Sequence, residues 1–302
     1  MGLDSNGTKF LFAAHAAGVS FRQTAMLGRQ NFFPEPAQLQ RLLDRRQSGL
    51  SAVQFLADSQ SYAEKFLEFL GAEEAVAIDN SAYEGAAIVT DLNAPIDASL
   101  KERFGVVLDG GCLEHIFNFP QAIRNCMEML QIGGHFLGIT PANNFCGHGF
   151  YQFSPEIYFR IFTEENGFAI RAVLTRDGST WYRVQDPDQY GGRVELQNTQ
   201  ATYLFVLAKK IAAREVFLQP PQQSDYARTW EEAGKTGASI KPGSIGLRQR
   251  LRKLFPATWV DAMRPFAANL PLGLRSKCFE SLREEDLLRG EWEFHGRDRE
   301  IA

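Results

Sequence analysis

The sequence is poor in the residues that build zinc sites and disulfide frameworks. Its 302 residues include four cysteines, and no two of them form a Cys-x-x-Cys pair. This spacing argues against a structural zinc site and against a disulfide-stapled domain. We therefore predict a reduced, cytoplasmic setting and no bound metal.

Positive charge, long apolar runs and repeats are also lacking. The net charge of −4 gives the chain no overall attraction to nucleic acid, so no nucleic-acid partner is expected. The apolar segment 10–19 is too short to span a bilayer. No internal repeat or low-complexity tract is visible, which argues against a solenoid or a fibrous protein.

The chain does contain enough apolar sequence for a core, and strand and helix signals alternate along it. Hydrophobic residues make up 44% and aromatic residues 12% of the sequence. Residues 106–108 form a short apolar run typical of a buried strand, and residues 119–130 carry apolar side chains at helical spacing. The glycine pair 133–134 is expected to end this helix, and residues 135–140 are expected to form the next strand. This alternation predicts an α/β fold.

Two segments of this region carry a family resemblance. Residues 108–116 have the sequence LDGGCLEHI, and residues 129–141 have the sequence MLQIGGHFLGITP. With the helix between them, they resemble the fourth strand, fourth helix and fifth strand of class I S-adenosylmethionine-dependent methyltransferases, in which the helix typically ends in a Leu-x-x-Gly-Gly turn. The resemblance extends over roughly residues 51–210. It implies a Rossmann-like, seven-stranded sheet, mostly parallel with an antiparallel terminal hairpin, with helices on both faces and S-adenosyl-L-methionine as the cofactor.

The resemblance divides the chain into three parts. Residues 1–47 are expected to form an N-terminal lead-in and residues 48–212 the Rossmann-like domain, and residues 1–212 together should fold without the rest. Residues 213–302 are expected to form a C-terminal helical extension that is partly flexible. Within this extension, residues 247–255 are basic and amphipathic. They either make a weak contact with an anionic membrane surface or form a helix that packs on the main domain.

The remaining strands of the expected sheet are short apolar segments. They are assigned to residues 51–57, 75–78, 87–90, 169–175 and 202–209. The turn after the first of these, residues 57–62, contains no glycine. The family carries an acidic, glycine-rich turn there, whose glycines let the backbone approach the cofactor. This turn is the largest departure of the chain from the family pattern.

The cofactor-binding residues implied by the resemblance lie at the ends of the strands. They are Asp58, Asp79, Asp91, Leu92, Asp109 and Gly110. Asp79 matches the ribose-binding acid, because a carboxylate accepts hydrogen bonds from two hydroxyl groups; alternatively it caps the next helix. Asp91 matches the position that meets the adenine amino group, or it builds a turn with Asn93 and Pro95. Asp109 follows the fourth strand, at the edge where open α/β sheets bind ligands.

The loop after the fifth strand is the expected acceptor site. Residues 143–153 place His148 between two glycines and beside aromatic residues. A histidine there suits a general base for a hydroxyl group, although a rigid turn with His148 on the surface explains the pattern as well. His115, at a helix start, is either a second catalytic residue or a histidine bonded to backbone. The expected substrate-binding residues are Glu114, Asn143, Tyr151 and Gln152.

These residues predict a methyltransferase that acts on a hydroxyl group of a small molecule or a glycan. This acceptor is the expected binding partner of the chain. The alternative is a catalytically silent methyltransferase-like domain that binds a partner, which the missing glycines favour. A nicotinamide-dependent oxidoreductase fits less well, because no Gly-x-Gly-x-x-Gly follows the first expected strand. The sequence does not indicate an oligomeric state.

Overall fold

The computed structural model describes residues 2–236 and 270–292. The strands are β1 (Gly2–Leu3), β2 (Gln23–Leu27), β3 (Asn31–Phe32), β4 (Glu74–Asp79), β5 (Ile88–Val89), β6 (Phe104–Asp109), β7 (Leu130–Asn143), β8 (Phe168–Asp177), β9 (Thr180–Val184), β10 (Thr202–Lys210) and β11 (Phe279–Leu282). The helices are α1 (Ser5–Ala16), α2 (Pro36–Arg45), α3 (Ala52–Asp58), α4 (Glu64–Phe69), α5 (Phe119–Met129), α6 (Pro155–Ile161), α7 (Pro187–Tyr190), α8 (Ser224–Thr236), α9 (Leu272–Arg275) and α10 (Glu284–Leu288). Short 3-10 turns lie at Ala98–Leu100, Leu113–His115 and Glu164–Asn166.

One nine-stranded sheet organises the described chain, in the order β11-β9-β8-β10-β7-β6-β2-β4-β5. β2, β4, β5, β6 and β7 run parallel to one another. β10 is antiparallel to both of its neighbours, β7 and β8. The expected Rossmann-like fold, mostly parallel with an antiparallel terminal section, is therefore confirmed. The sheet is wider than the expected seven strands because β9 and β11 extend one edge.

Helices cover both faces of the sheet and bury its apolar side chains. On one face, α5 and α6 pack in a core that includes Phe136 and Tyr158. On the other face, α1 to α4 pack in a core that includes Phe10 and Phe66. β6 is buried along its whole length, because it lies between two parallel strands with a helical layer on each face.

The first strand of the sheet is β2, so its assignment to residues 51–57 was wrong. β2 pairs in parallel with both β4 and β6, whereas residues 52–58 form α3, which buries Ala52 and Phe55. A short apolar run fits a buried strand and one face of a helix equally well, and its pattern alone does not separate the two. Residues 1–47 are therefore not a lead-in, because they supply a central strand of the sheet.

The glycine pair 133–134 does not end the helix before it. α5 ends at Met129, and β7 begins at the next residue. The pair lies inside β7, where the pairing with β6 shifts its register between Phe104 and Val106. An irregularity of this kind bends a strand locally, and glycine is common at such positions.

Residues 270–292, the last described part of the chain, pack against the sheet and α1 and are not a separate extension. β11 pairs with β9, and Glu284 of α10 forms an ion pair with Lys9 of α1 at 2.9 Å. The ring of Trp292 lies 6.1 Å from the ring of Phe10. The predicted basic segment 247–255 lies outside the described residues. None of the described helices is long and apolar enough to cross a membrane.

Candidate functional site

The carboxyl ends of β2 and β6 form the edge at which the chain changes direction across the sheet. From β2 the chain runs outward to β4 and β5, and it returns to form β6 on the other side of β2. Open α/β sheets bind their ligands at such a switch point. Gly28 follows β2, Asp79 ends β4 and Asp109 ends β6. The structure therefore brings the predicted residues Asp79 and Asp109 to one edge.

Two buried oxygen atoms at this edge have no hydrogen-bond donor among the described residues. Asp109 is fully buried; its Oδ1 accepts hydrogen bonds from the backbone N–H groups of Cys112 at 2.7 Å and Leu113 at 3.3 Å, and its Oδ2 has no partner. Gln30 donates from Nε2 to a backbone carbonyl at 2.6 Å, while its Oε1 has no partner. A Cβ atom at Gly110 would lie 2.2 Å from Gln30 Oε1, so the Gln30 side chain occupies the space beside this glycine.

The acidic side chains of the edge influence one another. Burial raises the pKa of Asp109 to about 6. Asp79 is half-buried, and its Oδ1 accepts a hydrogen bond from the backbone N–H of Ser81 at 3.2 Å. Burial raises the pKa of the Cys112 thiol, and the carboxylates of Asp109, Glu114 and Asp79 raise it further, in that order. The charges of these three carboxyl groups therefore all act on Cys112.

The other predicted cofactor residues are engaged in local structure. Asp58 is exposed on α3 and lies 2.8 Å from Lys65, so its predicted place after the first strand was wrong. Asp91 is exposed and accepts hydrogen bonds from the backbone and side-chain nitrogens of Asn93 at 2.9 and 2.8 Å, which builds the alternative turn. These bonds lower the pKa of Asp91. The side chain of Leu92 is buried in the core.

Glu114, His115 and His148, termed here the Glu-His-His cluster, meet beside the end of β6. Glu114 Oε1 lies 3.6 Å from Nε2 of His148 and 4.0 Å from Nε2 of His115. The Glu114 side chain is fully buried, whereas His115 and His148 are 44% and 50% exposed. Both carboxylate oxygens of Glu114 lack a hydrogen-bond partner among the described residues. The cluster thus presents two accessible imidazoles in front of a buried carboxyl group.

The backbone of the acceptor loop holds this cluster together. The N–H groups of Phe150 and Tyr151 donate hydrogen bonds to the carbonyl of Glu114, at 2.7 and 3.2 Å. Gly149 adopts a φ of +86°, and a Cβ atom there would lie 2.8 Å from that carbonyl and 3.1 Å from Nδ1 of His115. Glycine at this position therefore allows the loop to seat His148 against the turn that carries Glu114.

The electrostatics of the cluster follow from burial. Burial raises the pKa of Glu114 to about 8, and the nearby carboxyl group of Asp109 adds to the shift. Burial also lowers the pKa of His115, and the neighbouring His148 lowers it further. A buried carboxyl group with a raised pKa beside accessible histidines is typical of functional sites.

The remaining predicted acceptor residues shape the loop rather than join the cluster. Asn143 donates from Nδ2 to Oδ1 of Asn198 at 3.0 Å, and the Oε1 of Gln152 accepts a hydrogen bond from the backbone N–H of Phe145 at 2.8 Å. The hydroxyl group of Tyr151 donates to a backbone carbonyl at 2.6 Å. These contacts fix the course of the loop around His148.

The loop after β2, the true first strand of the sheet, consists of Gly28, Arg29 and Gln30. Because the first strand was assigned to residues 51–57, this loop was not predicted to lie at the sheet edge. The guanidinium group of Arg29 stacks on the ring of Tyr62 at 3.7 Å and pairs with Glu64 at 2.6 Å. These contacts hold the Arg29 side chain within the domain. The signal available in the sequence was the apolar run of β2 that ends at a glycine.

A separate groove lies away from the cluster. It encloses about 750 Å³ between α5, α6 and residues 217–223, and its lining includes Phe119, Ile123 and Ile157. A smaller cavity of about 300 Å³ shares Ser154 with this groove. Neither is lined by residues of the Glu-His-His cluster or by the acids of the sheet edge.

Comparisons with known proteins return solved structures alone. No protein-family description and no curated protein matches the chain. The N-methyltransferase NodS from Bradyrhizobium japonicum WM9, in complex with S-adenosyl-L-homocysteine, is 15% identical, with 68% of this chain and 85% of that chain covered and a TM-score of 0.37. The branched-chain polyamine synthase from Thermus thermophilus is 13% identical, with 73% and 61% covered and a TM-score of 0.36. The 1,6-didemethyltoxoflavin-N1-methyltransferase from Burkholderia thailandensis is 12% identical, with 67% and 79% covered and a TM-score of 0.28.

Likeness of this degree does not establish an activity. The fold follows from the strand order of this chain, and its function has to be argued from its own residues.

Proposed function

We propose that the chain is an S-adenosylmethionine-dependent methyltransferase that methylates a hydroxyl group of a small molecule or a glycan. The observation that supports this most is the juxtaposition of two sites. Asp79 and Asp109 lie at the switch point of the sheet, and the Glu-His-His cluster is built from the segments that follow β6 and β7. A donor held at the sheet edge would therefore stand beside an accessible pair of imidazoles.

The residues at the sheet edge suit this cofactor. Asp79 offers a half-buried carboxylate for the two ribose hydroxyl groups. The unpartnered oxygens Asp109 Oδ2 and Gln30 Oε1 are buried acceptors, and a buried acceptor requires a donor. The ammonium group of the cofactor's methionine end is a donor of the right charge. When bound, the cofactor would supply a methyl group on a sulfonium: the acceptor oxygen bonds to the methyl carbon in line as the carbon–sulfur bond breaks, and S-adenosylhomocysteine leaves.

The acceptor side is assigned to the cluster. His148 is half-exposed and stands in front of the buried Glu114 carboxyl group, so it is placed to contact a hydroxyl group that enters from solvent. As the methyl group moves, His148 accepts the hydroxyl proton, and Glu114, in its ionised form above its pKa of about 8, stabilises the protonated imidazole. His115, whose ring lies 5.2 Å from the His148 ring, lines the same opening.

A second candidate function is a catalytically silent binding domain, and one observation favours it. The Gln30 side chain fills the space beside Gly110, and the backbone N–H of Gly2 donates to the carbonyl of Gly110 at 3.3 Å. Part of the strand-end crevice is therefore occupied by the chain itself. In this case the edge would bind neither the cofactor nor its product.

Titration calorimetry with S-adenosylmethionine and S-adenosylhomocysteine separates the two functions. The proposed function predicts binding of both in the micromolar range, followed by transfer of labelled methyl groups to a member of a hydroxyl-acceptor panel. A chain that binds neither compound, while it shows a cooperative unfolding transition, would support the silent domain and reject the enzyme.

A further inference from the structure

The Glu-His-His cluster has the composition of a metal site. We propose that Glu114, His115 and His148 bind one divalent transition-metal ion of the zinc class. One carboxylate and two neutral imidazoles form the donor set that holds Zn²⁺ in His₂Glu sites and Fe²⁺ in two-histidine, one-carboxylate sites. In both, the remaining coordination positions stay open to water or substrate.

The distances in the cluster are close to those that an ion requires. One donor atom from each of the three residues lies within 4.8 Å of the other two. Nitrogen and oxygen donors bound to one such ion at about 2.0–2.2 Å in tetrahedral geometry are about 3.3–3.6 Å apart. The pair Glu114–His148, at 3.6 Å, already meets this limit, and the pair Glu114–His115, at 4.0 Å, exceeds it slightly. The two half-exposed imidazoles, whose donor atoms lie within 4.8 Å of each other, would have to rotate to bring all three donors within this limit.

The burial of the Glu114 carboxyl group is a second observation that supports a cation site. Glu114 is fully buried, and neither of its carboxylate oxygens has a hydrogen-bond partner among the described residues. Isolated buried carboxylates are costly, and they are normally paired or bound to a metal. The imidazoles of His115 and His148 lie 4.0 and 3.6 Å from this carboxylate, and imidazoles are metal ligands when neutral.

The fold supports the ligands from two segments. Glu114 and His115 lie in the 3-10 turn after β6, and His148 lies in the loop after β7. The hydrogen bonds from Phe150 and Tyr151 to the Glu114 carbonyl tie these segments together. The exposed faces of the two histidines leave an entry path and open coordination positions toward solvent.

Ion binding does not depend on methyl transfer, and it changes the role of His148. An imidazole nitrogen that binds an ion cannot accept a proton at the same time. In the ion-bound form, a hydroxyl group bound to the ion would lose its proton more readily, because divalent ions lower the pKa of their oxygen ligands. The effect of EDTA on turnover shows which form is active.

The test is a titration of chelator-treated, full-length protein with Co²⁺, followed by visible absorption, with displacement by Zn²⁺ and calorimetry to count sites. We expect one ion per chain, and at least about tenfold weaker binding in Glu114→Gln, His115→Ala and His148→Ala. His15→Ala, on α1, is the matched histidine control and should bind like wild type. Thermal unfolding checks that each variant is folded. His148 is half-exposed, so His148→Ala removes a ligand without changing the core.

Two results would overturn the metal site. One is wild-type protein that shows no Co²⁺ absorption and no Zn²⁺ binding at concentrations up to about 1 mM. The other is a folded His115→Ala/His148→Ala double variant that binds the ion as tightly as wild type, because the ion would then lie elsewhere. Neither measurement involves the cofactor, so failure of the metal site and failure of the methyltransferase function are distinguished.

Discussion

Nε2 of His148 lies 3.6 Å from Oε1 of Glu114, although the two residues follow different strands of the sheet. Glu114 follows β6 and His148 follows β7, and these strands are parallel neighbours whose carboxyl ends meet at one edge. The fully buried carboxyl group therefore supports an imidazole that faces solvent. This pair, rather than either residue alone, makes the loop after β7 a candidate for chemistry.

His148 should be the most sensitive position for turnover. We expect His148→Ala to lower turnover by about two orders of magnitude or more, since a positioned general base contributes 10²–10⁴-fold. Cofactor affinity should stay within a few-fold of wild type. The assay uses the acceptor identified by the panel described above, and His15→Ala serves as the control. Turnover close to wild type in His148→Ala would remove this residue from the mechanism.

Asp79 should control affinity for the cofactor. Loss of a charged hydrogen-bond acceptor at the end of β4 is expected to weaken S-adenosylhomocysteine binding by about 10- to 150-fold in Asp79→Ala. Asp91→Ala is the matched control, because Asp91 is exposed and engaged in a local turn. Calorimetry on the two variants gives the comparison. Equal dissociation constants for Asp79→Ala and wild type would exclude Asp79 from the ribose site.

Gly149 should be required for the stability of the acceptor loop. Its φ is +86°, and a Cβ atom at this position would lie 2.8 Å from the Glu114 carbonyl oxygen, which leaves no room for alanine. Gly147 has a φ of +98° but open space around it, so Gly147→Ala isolates the backbone strain. We expect Gly147→Ala to cost about 1–2 kcal/mol and Gly149→Ala to cost more. Urea unfolding measures both, and equal costs would show that the contact with Glu114 adds nothing.

His135 should make the protein less stable in acid. Burial and the positive charges of Lys209 and Arg171 lower its folded-state pKa from 6.5 to about 4. Between these values the unfolded chain binds the extra proton, so this histidine's contribution to stability falls as the pH drops from 6.5 to 4. The loss is at most about 3–4 kcal/mol, because one pKa unit corresponds to about 1.4 kcal/mol.

The His135 effect is isolated by difference. Asp109 and Glu114 have raised pKa values of about 6 and 8, and they stabilise the folded state as the pH falls, which opposes the effect of His135. Free energies of unfolding of wild type and His135→Gln should therefore be compared at each pH. We expect the difference between them to change between pH 6.5 and 4 and to be constant above. A constant difference throughout would mean that His135 titrates normally in the folded protein.

The parts of the fold that could be predicted are those with a local signal. The apolar run of β6, the helical spacing of α5 and the strand β7 are read from neighbouring residues, and the family resemblance orders them. β2 was missed because Ala25 and Met26 favour a helix as readily as a strand, and its burial comes from β4 and β6, which are distant in sequence. The contact between Gln30 and Gly110 depends on that strand, so it could not be predicted either.

The sequence analysis named the three residues of the Glu-His-His cluster, but it did not predict that they lie together. Glu114, His115 and His148 were each selected, as a substrate-binding residue and two catalytic residues. Their convergence on one point depends on the parallel pairing of β6 and β7 and on the Gly149 turn. The burial of the Glu114 carboxyl group could not be predicted from the sequence. Charged residues are rarely fully buried without a partner, so a glutamate is expected at the surface. A metal site was therefore not expected from the sequence.

The last described residues should be needed for folding. Trp292 is buried to 1% exposure against Phe10, and Leu287 of α10 is fully buried beside α1. We expect Trp292→Ala to lower the free energy of unfolding by about 3–5 kcal/mol, which is typical of a buried tryptophan. Trp230, which is 50% exposed on α8, is the matched control, and Trp230→Ala should cost less than about 0.5 kcal/mol.

A chain truncated after residue 212 should confirm the same dependence. The sequence suggested that residues 1–212 fold alone, but this truncation removes β11 from β9, the Lys9–Glu284 ion pair and the cover over Phe10. Without β11 the edge of β9 presents unpaired backbone groups, and the uncovered face of α1 is apolar; both favour aggregation. We therefore expect the truncated chain to be insoluble or to unfold at a markedly lower temperature. A soluble product with the thermal stability of the full chain would show that residues 1–212 complete the core without this segment.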